Sequence, residues 1–359
     1  MRYNIYGYSP CWLHHACSDL KEAIVESQRL VKGDALSWLL AHENPGVRYL
    51  ALRDLARLPE DSPELRAARR IAHTDGPISE VLMQMEPDGY WVQPGKGYAP
   101  KYRGSVWSLI LLAQLGASMS EDARIGKACA YILDHALMPG GLFTATQGPA
   151  GNIDCLQGNL CWALTRMGCE DPRLEQAFDW MARAQTGEGV APAKEKNTPV
   201  RYHYYKCGPD FACAANGKKP CAWGAAKVML AFSSLTPEKR TPLIDRAIAR
   251  GVDFLLGTDP AEAMYPTYDD RKPSGDWWKF GFPVYYVTDL LQVAEALIAL
   301  GYGDDPRLKN ALELICRKQD AEGRWLMEYP YGAKTWSNFG RKGLPNPWVT
   351  IRALRVISP

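Results

Sequence analysis

The sequence predicts an all-α protein, an (α/α)6 toroid of inner and outer helices behind an N-terminal arm and helix. Three observations predict it. Helical patterns recur in pairs, the two members of each pair differ in apolar character, and strand signals are scarce. Each unit opens at Pro or Gly, runs through an apolar helix, turns at Gly or a Pro-rich link, continues in a second helix and ends in a Gly loop. The units recur about every 50 to 65 residues, the behaviour of stacked supersecondary repeats. No stretch sustains the period-2 alternation of a half-buried strand.

The first helices of the units are expected over Val47–Leu58, Ser105–Leu115, Leu156–Met167, Ala222–Leu235, Val284–Leu300 and Trp348–Val356. The second helices are expected over Glu64–Ala72, Asp122–Ala136, Pro172–Ala184, Thr241–Leu255 and Asp305–Lys318. Two turns nearly repeat, Gly168-Cys-Glu-Asp-Pro-Arg-Leu and Gly301-Tyr-Gly-Asp-Asp-Pro-Arg-Leu. In each, Gly closes one helix, Asp caps the next and Pro takes its first turn. The first helices are apolar nearly all round, as in Val106-Trp-Ser-Leu-Ile-Leu-Leu-Ala113, so they are buried on most sides. The second helices carry Arg, Glu and Asp on one face. That contrast makes the first set an inner ring and the second an outer ring. The terminal units are as apolar as the middle ones, which favours a closed ring over an open array with polar end caps. The division expected is residues 1–46 as arm and helix and 47–359 as toroid. Asp19–Lys32 reads as the helix of the arm.

Charge is nearly balanced, 42 basic against 40 acidic residues, and the basic residues are scattered, which speaks against a nucleic-acid or anionic-membrane partner. Met1–Pro10 lacks the apolar core of a secretory signal, and the most apolar stretch, Val106–Leu115, is too short to span a bilayer. A cytoplasmic protein without stable membrane insertion is the expectation. Ten cysteines in such a chain are expected mostly as thiols. Cys129, Cys161, Cys169 and Cys316 lie in or at the ends of helices and read as small buried hydrophobes. Cys11, His14, His15 and Cys17 in the arm have ligand types but read as a packed flap.

The stretch from His203 to Gly224 is different. It sets Cys207, Cys213 and Cys221 in one Gly- and Pro-studded loop that opens a helix. With parallel inner helices, all their N-termini open at one end. Cys155 and Cys221 then hold equivalent positions on adjacent helices, whose axes lie about 8–10 Å apart. Helix N-termini favour thiolates. Cys155, Cys207, Cys213 and Cys221 are therefore the candidate ligands of one zinc ion; free thiols are the alternative. With four Cys the site is closed and structural. With His203 or Asp154 replacing one Cys it is open and catalytic. For His203 itself, a loop histidine bonded to backbone is the favoured reading.

The same mouth gathers candidate acids and aromatics. Asp154, Asp270 and Asp289 are candidate catalytic carboxylates, although an Asp at a helix start is commonly a cap. Trp107, Tyr205, Trp223, Trp278, Tyr286 and Trp348 are candidate substrate-binding aromatics, suited to an apolar molecule or a passing carbocation, with packing as the plainer reading. Arg103 is a candidate anchor for an anion, or a solvated rim charge.

Gln319-Asp-Ala-Glu-Gly323-Arg-Trp325 matches the Gln-x-x-x-Gly-x-Trp motif of the squalene–hopene cyclase and prenyltransferase repeat superfamily, and the chain resembles a short, single-toroid member. Gln84-Met-Glu-Pro-Asp-Gly89-Tyr-Trp91 matches with one extra residue. Gln185-Thr-Gly-Glu-Gly189 and Gly140-Gly141-Leu-Phe143 are degenerate copies. These residues are structural: Gln bonds freed backbone at a helix end and Trp covers the joint between units. The family's class II cyclases protonate alkenes with Asp-x-Asp-Asp, and Thr267-Tyr-Asp269-Asp270 lacks the first Asp. Its prenyltransferase β subunits hold zinc with spaced Asp and Cys and a distant His, whereas Asp154 and Cys155 are adjacent. Toroids resembling lanthionine cyclases use two Cys and a His, of which Cys221-Ala-Trp-Gly is a faint echo. The resemblance implies an enzyme acting on an apolar, isoprenoid-like substrate in an aromatic-lined cavity, by zinc-assisted cyclisation, isomerisation, hydration or transfer. Two other readings stand beside it: a carbohydrate-active toroid using paired carboxylates such as Asp269, Asp270 and Asp276, and a non-catalytic, zinc-stapled toroid that holds a lipid or protein.

Overall fold

A computed structural model describes residues 31–270 and 274–358. The Cys11, His14, His15 and Cys17 cluster lies outside them, as does the arm helix except for Val31 and Lys32, which are not helical.

The architecture is all-helical. The inner set comprises α2 (Pro45–Asp54), α5 (Ser105–Gln114), α7 (Asp154–Arg166), α9 (Ala222–Ser233), α11 (Leu290–Ala299) and α13 (Pro347–Ile357). The outer set is α3 (Pro63–Thr74), α6 (Ala123–Ala136), α8 (Arg173–Thr186), α10 (Pro242–Leu256) and α12 (Lys309–Arg317). Two short helices that the pattern did not predict, α1 (Ala35–Leu40) and α4 (Pro77–Met83), complete the first unit. Starts are set where the sequence places a capping side chain before Pro. Asn44, Ser62, Thr241 and Asn346 each accept from the first-turn N–H groups of α2, α3, α10 and α13.

Burial separates the two sets. Every residue of α5 from Ser105 to Ala113 is buried, whereas α6 buries a stripe through Ile125, Ala128, Cys129, Ile132, Leu133 and Ala136. Along the inner set α5 packs on α7, α7 on α9, α9 on α11, α11 on α13, and α13 on α2. The link from α2 to α5 is made at Gly116, whose positive φ and missing side chain admit Tyr49, Leu50 and Arg53. The tightest approach is α7 against α9, where a Cβ on Gly158 would lie 2.5 Å from the Lys227 carbonyl.

Two of the bounds expected for the inner helices shift by four residues or more. Helix α11 begins at Leu290 rather than Val284, because Asp289 accepts from the Gln292 N–H and fixes the first turn, leaving Tyr285 and Tyr286 in the loop ahead of it. Helix α2 ends at Asp54 rather than Leu58, and the chain turns with Arg57 at φ 53°.

The strands are fragments between helices: β1 (Leu137–Met138) with β2 (Leu142–Phe143), β3 (Val190–Pro192) with β4 (Tyr202–Tyr204), β5 (Cys207–Gly208) with β6 (Ala212–Cys213), and β7 (Gly281–Phe282) with β8 (Tyr329–Pro330). Among the described residues no helix is long and apolar enough to cross a membrane.

The two full Gln-x-x-x-Gly-x-Trp copies make the same joint. Trp325 donates its indole N–H to the Ile315 carbonyl of α12 and its backbone N–H to the Thr350 hydroxyl of α13. Trp91 does the same with Val81 of α4 and Ser105 of α5. Gln319 donates to the Cys316 carbonyl and accepts from the Lys32 N–H.

Candidate functional site

The N-terminal ends of α7 and α9 carry the cysteine loop. Antiparallel β5 and β6 set Cys207 opposite Cys213, and the Cys221 N–H donates to the Phe211 carbonyl at 3.0 Å, folding the chain back. The Cys213 and Cys221 thiols are hydrogen-bonded to each other. That bond draws Cys213 down to about 6 and pushes Cys221 well up. The Cys207 thiol is buried and donates to Asn152 Oδ1 at 2.9 Å. Cys155 lies close enough to feel Asp154, Cys213 and Cys221, and burial pushes it up to about 12. Of the four thiols, Cys213 and Cys221 form a hydrogen-bonded pair, whereas Cys155 and Cys207 stand separately. Among the described residues, no three His, Cys, Asp or Glu side chains form a group that could hold a metal ion.

Asp154, in the first turn of α7, is 4 % exposed and accepts from Gln185 Nε2 at 2.8 Å. Burial raises its carboxyl to about 7; the Gln185 and Cys207 contacts pull the other way without winning. Gln185 is the degenerate motif copy, and its Oε1 also accepts from the Phe211 N–H, so it ties the cysteine loop to the start of α7.

The other candidates are dispersed. Asp289 is the cap of α11 and is held by both terminal nitrogens of Arg352, at 2.8 and 2.9 Å, so both its oxygens accept bonds. Asp270 is an exposed residue paired with Lys219 at 2.5 Å. His203 Nδ1 lies 3.4 Å from the Pro192 carbonyl, the backbone arrangement read from its loop position. Arg103 donates to the Ala333 carbonyl and covers the Trp336 ring. Tyr205 is exposed, and Trp223 opens α9, its carbonyl near the Thr288 hydroxyl. Trp278 donates its indole N–H to the Ala261 carbonyl. Trp348 stacks on Phe282 with centroids 4.9 Å apart.

Trp107 and Tyr286 were expected to line an open cavity at this end. They instead fill it. Trp107 is 1 % exposed and contacts Tyr98, Tyr102, Tyr285 and Tyr286 with centroids 4.8–5.3 Å apart. The cause is tilted and edge-to-face ring packing, which closes the space between the helix ends.

The cavity lies at the opposite end. It measures about 390 Å³ and is lined by residues of all six inner helices, most of them from the C-terminal halves, together with Phe282 and Val284. Its apolar wall includes Trp162, Leu230, Phe282 and Ile298. Its polar wall includes Arg53, Asp54, Arg166, Glu295, Arg352 and Arg355. Asp54 accepts from Arg53 at 2.7 and 3.0 Å and also from Arg355. Burial opposes its charge, but Arg355 and Arg53 hold the carboxyl well below the usual carboxylate range. Glu295 pairs with Arg352 at 2.8 Å. Behind Gln292 on the wall, fully buried Lys227 donates its Nζ to Gln292 Oε1, and burial lowers its ammonium to about 7. Sequence reasoning missed this end. The available signal was an Arg closing otherwise apolar helices, at Arg53, Arg166 and Arg355.

No protein-family model matches the chain, and no curated protein matches its sequence. Among solved structures it is similar to the type II terpene cyclase MstE from Scytonema, captured with its product merosterolic acid A, at 14 % identity and a TM-score of 0.44 over 94 % of this chain and 96 % of that one. A likeness at this level carries no argument about activity.

Proposed function

We propose that this chain is a single (α/α)6 toroid, related in kind to the terpene cyclases, that takes up a small apolar, isoprenoid-like molecule in the cavity at the C-terminal ends of its inner helices. The observation that carries the reading is that cavity. A volume of about 390 Å³ falls near the lower end of small-molecule sites, which run about 300–1,000 Å³, so the molecule is compact. Trp162, Leu230, Phe282 and Ile298 supply an apolar wall for its body.

Chemistry on that molecule would draw on groups that exchange protons near neutrality, and Lys227 is the nearest, one side chain behind the wall. A specific observation favours a second reading, binding without chemistry: the cavity carboxylates Asp54 and Glu295 are both engaged by arginines. The carbohydrate reading draws no such support, since Trp277 is 1 % exposed and Asp270 is paired with Lys219 at the surface.

Native mass spectrometry of protein from its own host tests the proposal. The expected result is a bound isoprenoid, lost in Ala299→Trp, which fills the cavity mouth. A bound glycan, or a ligand retained by that variant, would sink it. Zinc on Cys155, Cys207, Cys213 and Cys221 is a separate proposal, supported by the Cys213–Cys221 pair and by Cys155 near it. Metal analysis decides it, with less than about half an equivalent counting against a four-thiolate site.

A further inference from the structure

Five arginines face the cavity, Arg53, Arg57, Arg166, Arg352 and Arg355, against two carboxylates, Asp54 and Glu295. Four of the five have partners. Arg53 and Arg355 share Asp54, Arg352 holds Asp289 and Glu295, and Arg57 donates to the Ser358 carbonyl. Arg166 has none. It closes α7, is exposed to the cavity, and makes no hydrogen bond or ion pair among the described residues. Its charged neighbours are Arg53, Asp54 and Arg355.

A cation in the last turn of a helix is favourable by itself, and that accounts for each arginine singly. It does not account for three guanidiniums converging on one carboxylate, an arrangement that leaves a local excess of two positive charges. Arg53 and Arg355 stand beside Arg166 with like charge, a repulsion that an anion between them would relieve. The planar guanidinium fork matches carboxylate and phosphate oxygens. One turn back on the same face of α7 stands Trp162, so the cationic end of the cavity continues directly into its apolar wall.

We propose that Arg166, with Arg53 and Arg355, forms a subsite for the anionic head, phosphate or carboxylate, of a molecule whose apolar body lies against Trp162, Leu230 and Ile298. The inference rests on the cavity being the ligand site. The excess of two charges fits a dianionic phosphate better than a carboxylate.

Isothermal titration of the full chain with octyl phosphate, octanoate, octanol and inorganic phosphate tests it. Octyl phosphate is expected to bind at least about tenfold tighter than octanol, with octanoate between them. Arg166→Gln, which breaks no side-chain hydrogen bond or ion pair among the described residues, is expected to bring octyl phosphate down to the octanol level and leave octanol unchanged. Equal affinity for octyl phosphate and octanol, or a head-group preference that survives Arg166→Gln, overturns the subsite while leaving the apolar cavity in place. Inorganic phosphate binding that disappears in Arg166→Gln, with no octanol binding, upholds the subsite and overturns the apolar reading. Failure of all four probes overturns both.

Discussion

Asp154 and Lys227 are buried titratable groups whose charges the interior resists in opposite senses. Desolvation favours the neutral form of each, which lifts the carboxyl to about 7 and lowers the ammonium to about 7. For Asp154 the folded value lies above the unfolded 3.8. Between those values the native state keeps a proton that the unfolded chain has released. Its contribution is therefore complete below about pH 4 and is lost as pH rises to about 7. Asp154→Asn keeps an acceptor for Gln185 and removes the charge. Its Tm relative to the parent should climb from pH 4.5 to pH 8, by a few degrees if roughly 1–3 kcal/mol is at stake. A difference that stays constant with pH would refute the buried-carboxylate account. Asp154 could be singled out from its place at a helix start, but its environment could not. Gln185 and Cys207 reach it from segments 31 and more residues away.

At the scale of the element, the most readable feature was the joint between units. The motif Trp was expected to cover a junction, and Trp325 does so with two bonds, one to each flanking helix. Trp325→Phe keeps most of the buried ring but removes the indole bond, leaving the Ile315 carbonyl with only the Lys318 N–H at 3.2 Å. The expected loss is about 1–2 kcal/mol, read from urea unfolding, against about 3–5 kcal/mol for Trp325→Ala. A Trp325→Phe variant as stable as the parent would show that the hydrogen bond contributes nothing. Helix starts were legible for the same local reason: capping side chains before Pro at Asn44, Thr241 and Asn346 act within one turn. The start of α11 was misplaced because Tyr285 and Tyr286 are as apolar as helix residues. Only their packing on Trp107 shows that they belong to a plug.

Over the whole molecule, Asp54 joins the first inner helix to the last by accepting from Arg53 on α2 and Arg355 on α13. Asp54→Asn would leave Arg53, Arg166 and Arg355 without a neighbouring carboxylate. A destabilisation of about 3 kcal/mol is expected, since removing one partner of a buried ion pair leaves uncompensated charge. Added phosphate should restore part of it in Asp54→Asn more than in the parent, by binding where the carboxylate was. A thermal shift with phosphate no larger than the parent's would contradict the charge account.

What the sequence determined by itself was the succession of helices, which of them are buried, and where most begin. Those are properties of periodicity and capping that act over a few residues. Tertiary structure decided which end of the ring stays hollow. The N-terminal end collects bulky rings from Tyr98, Trp107 and Tyr286, which close on one another. The C-terminal end collects charged side chains, among them Arg53, Asp54, Arg166 and Glu295, whose complete removal from water is costly, and a cavity remains between them. Which side chains face one another across a ring is set by how the ring closes, and no local stretch of chain encodes it.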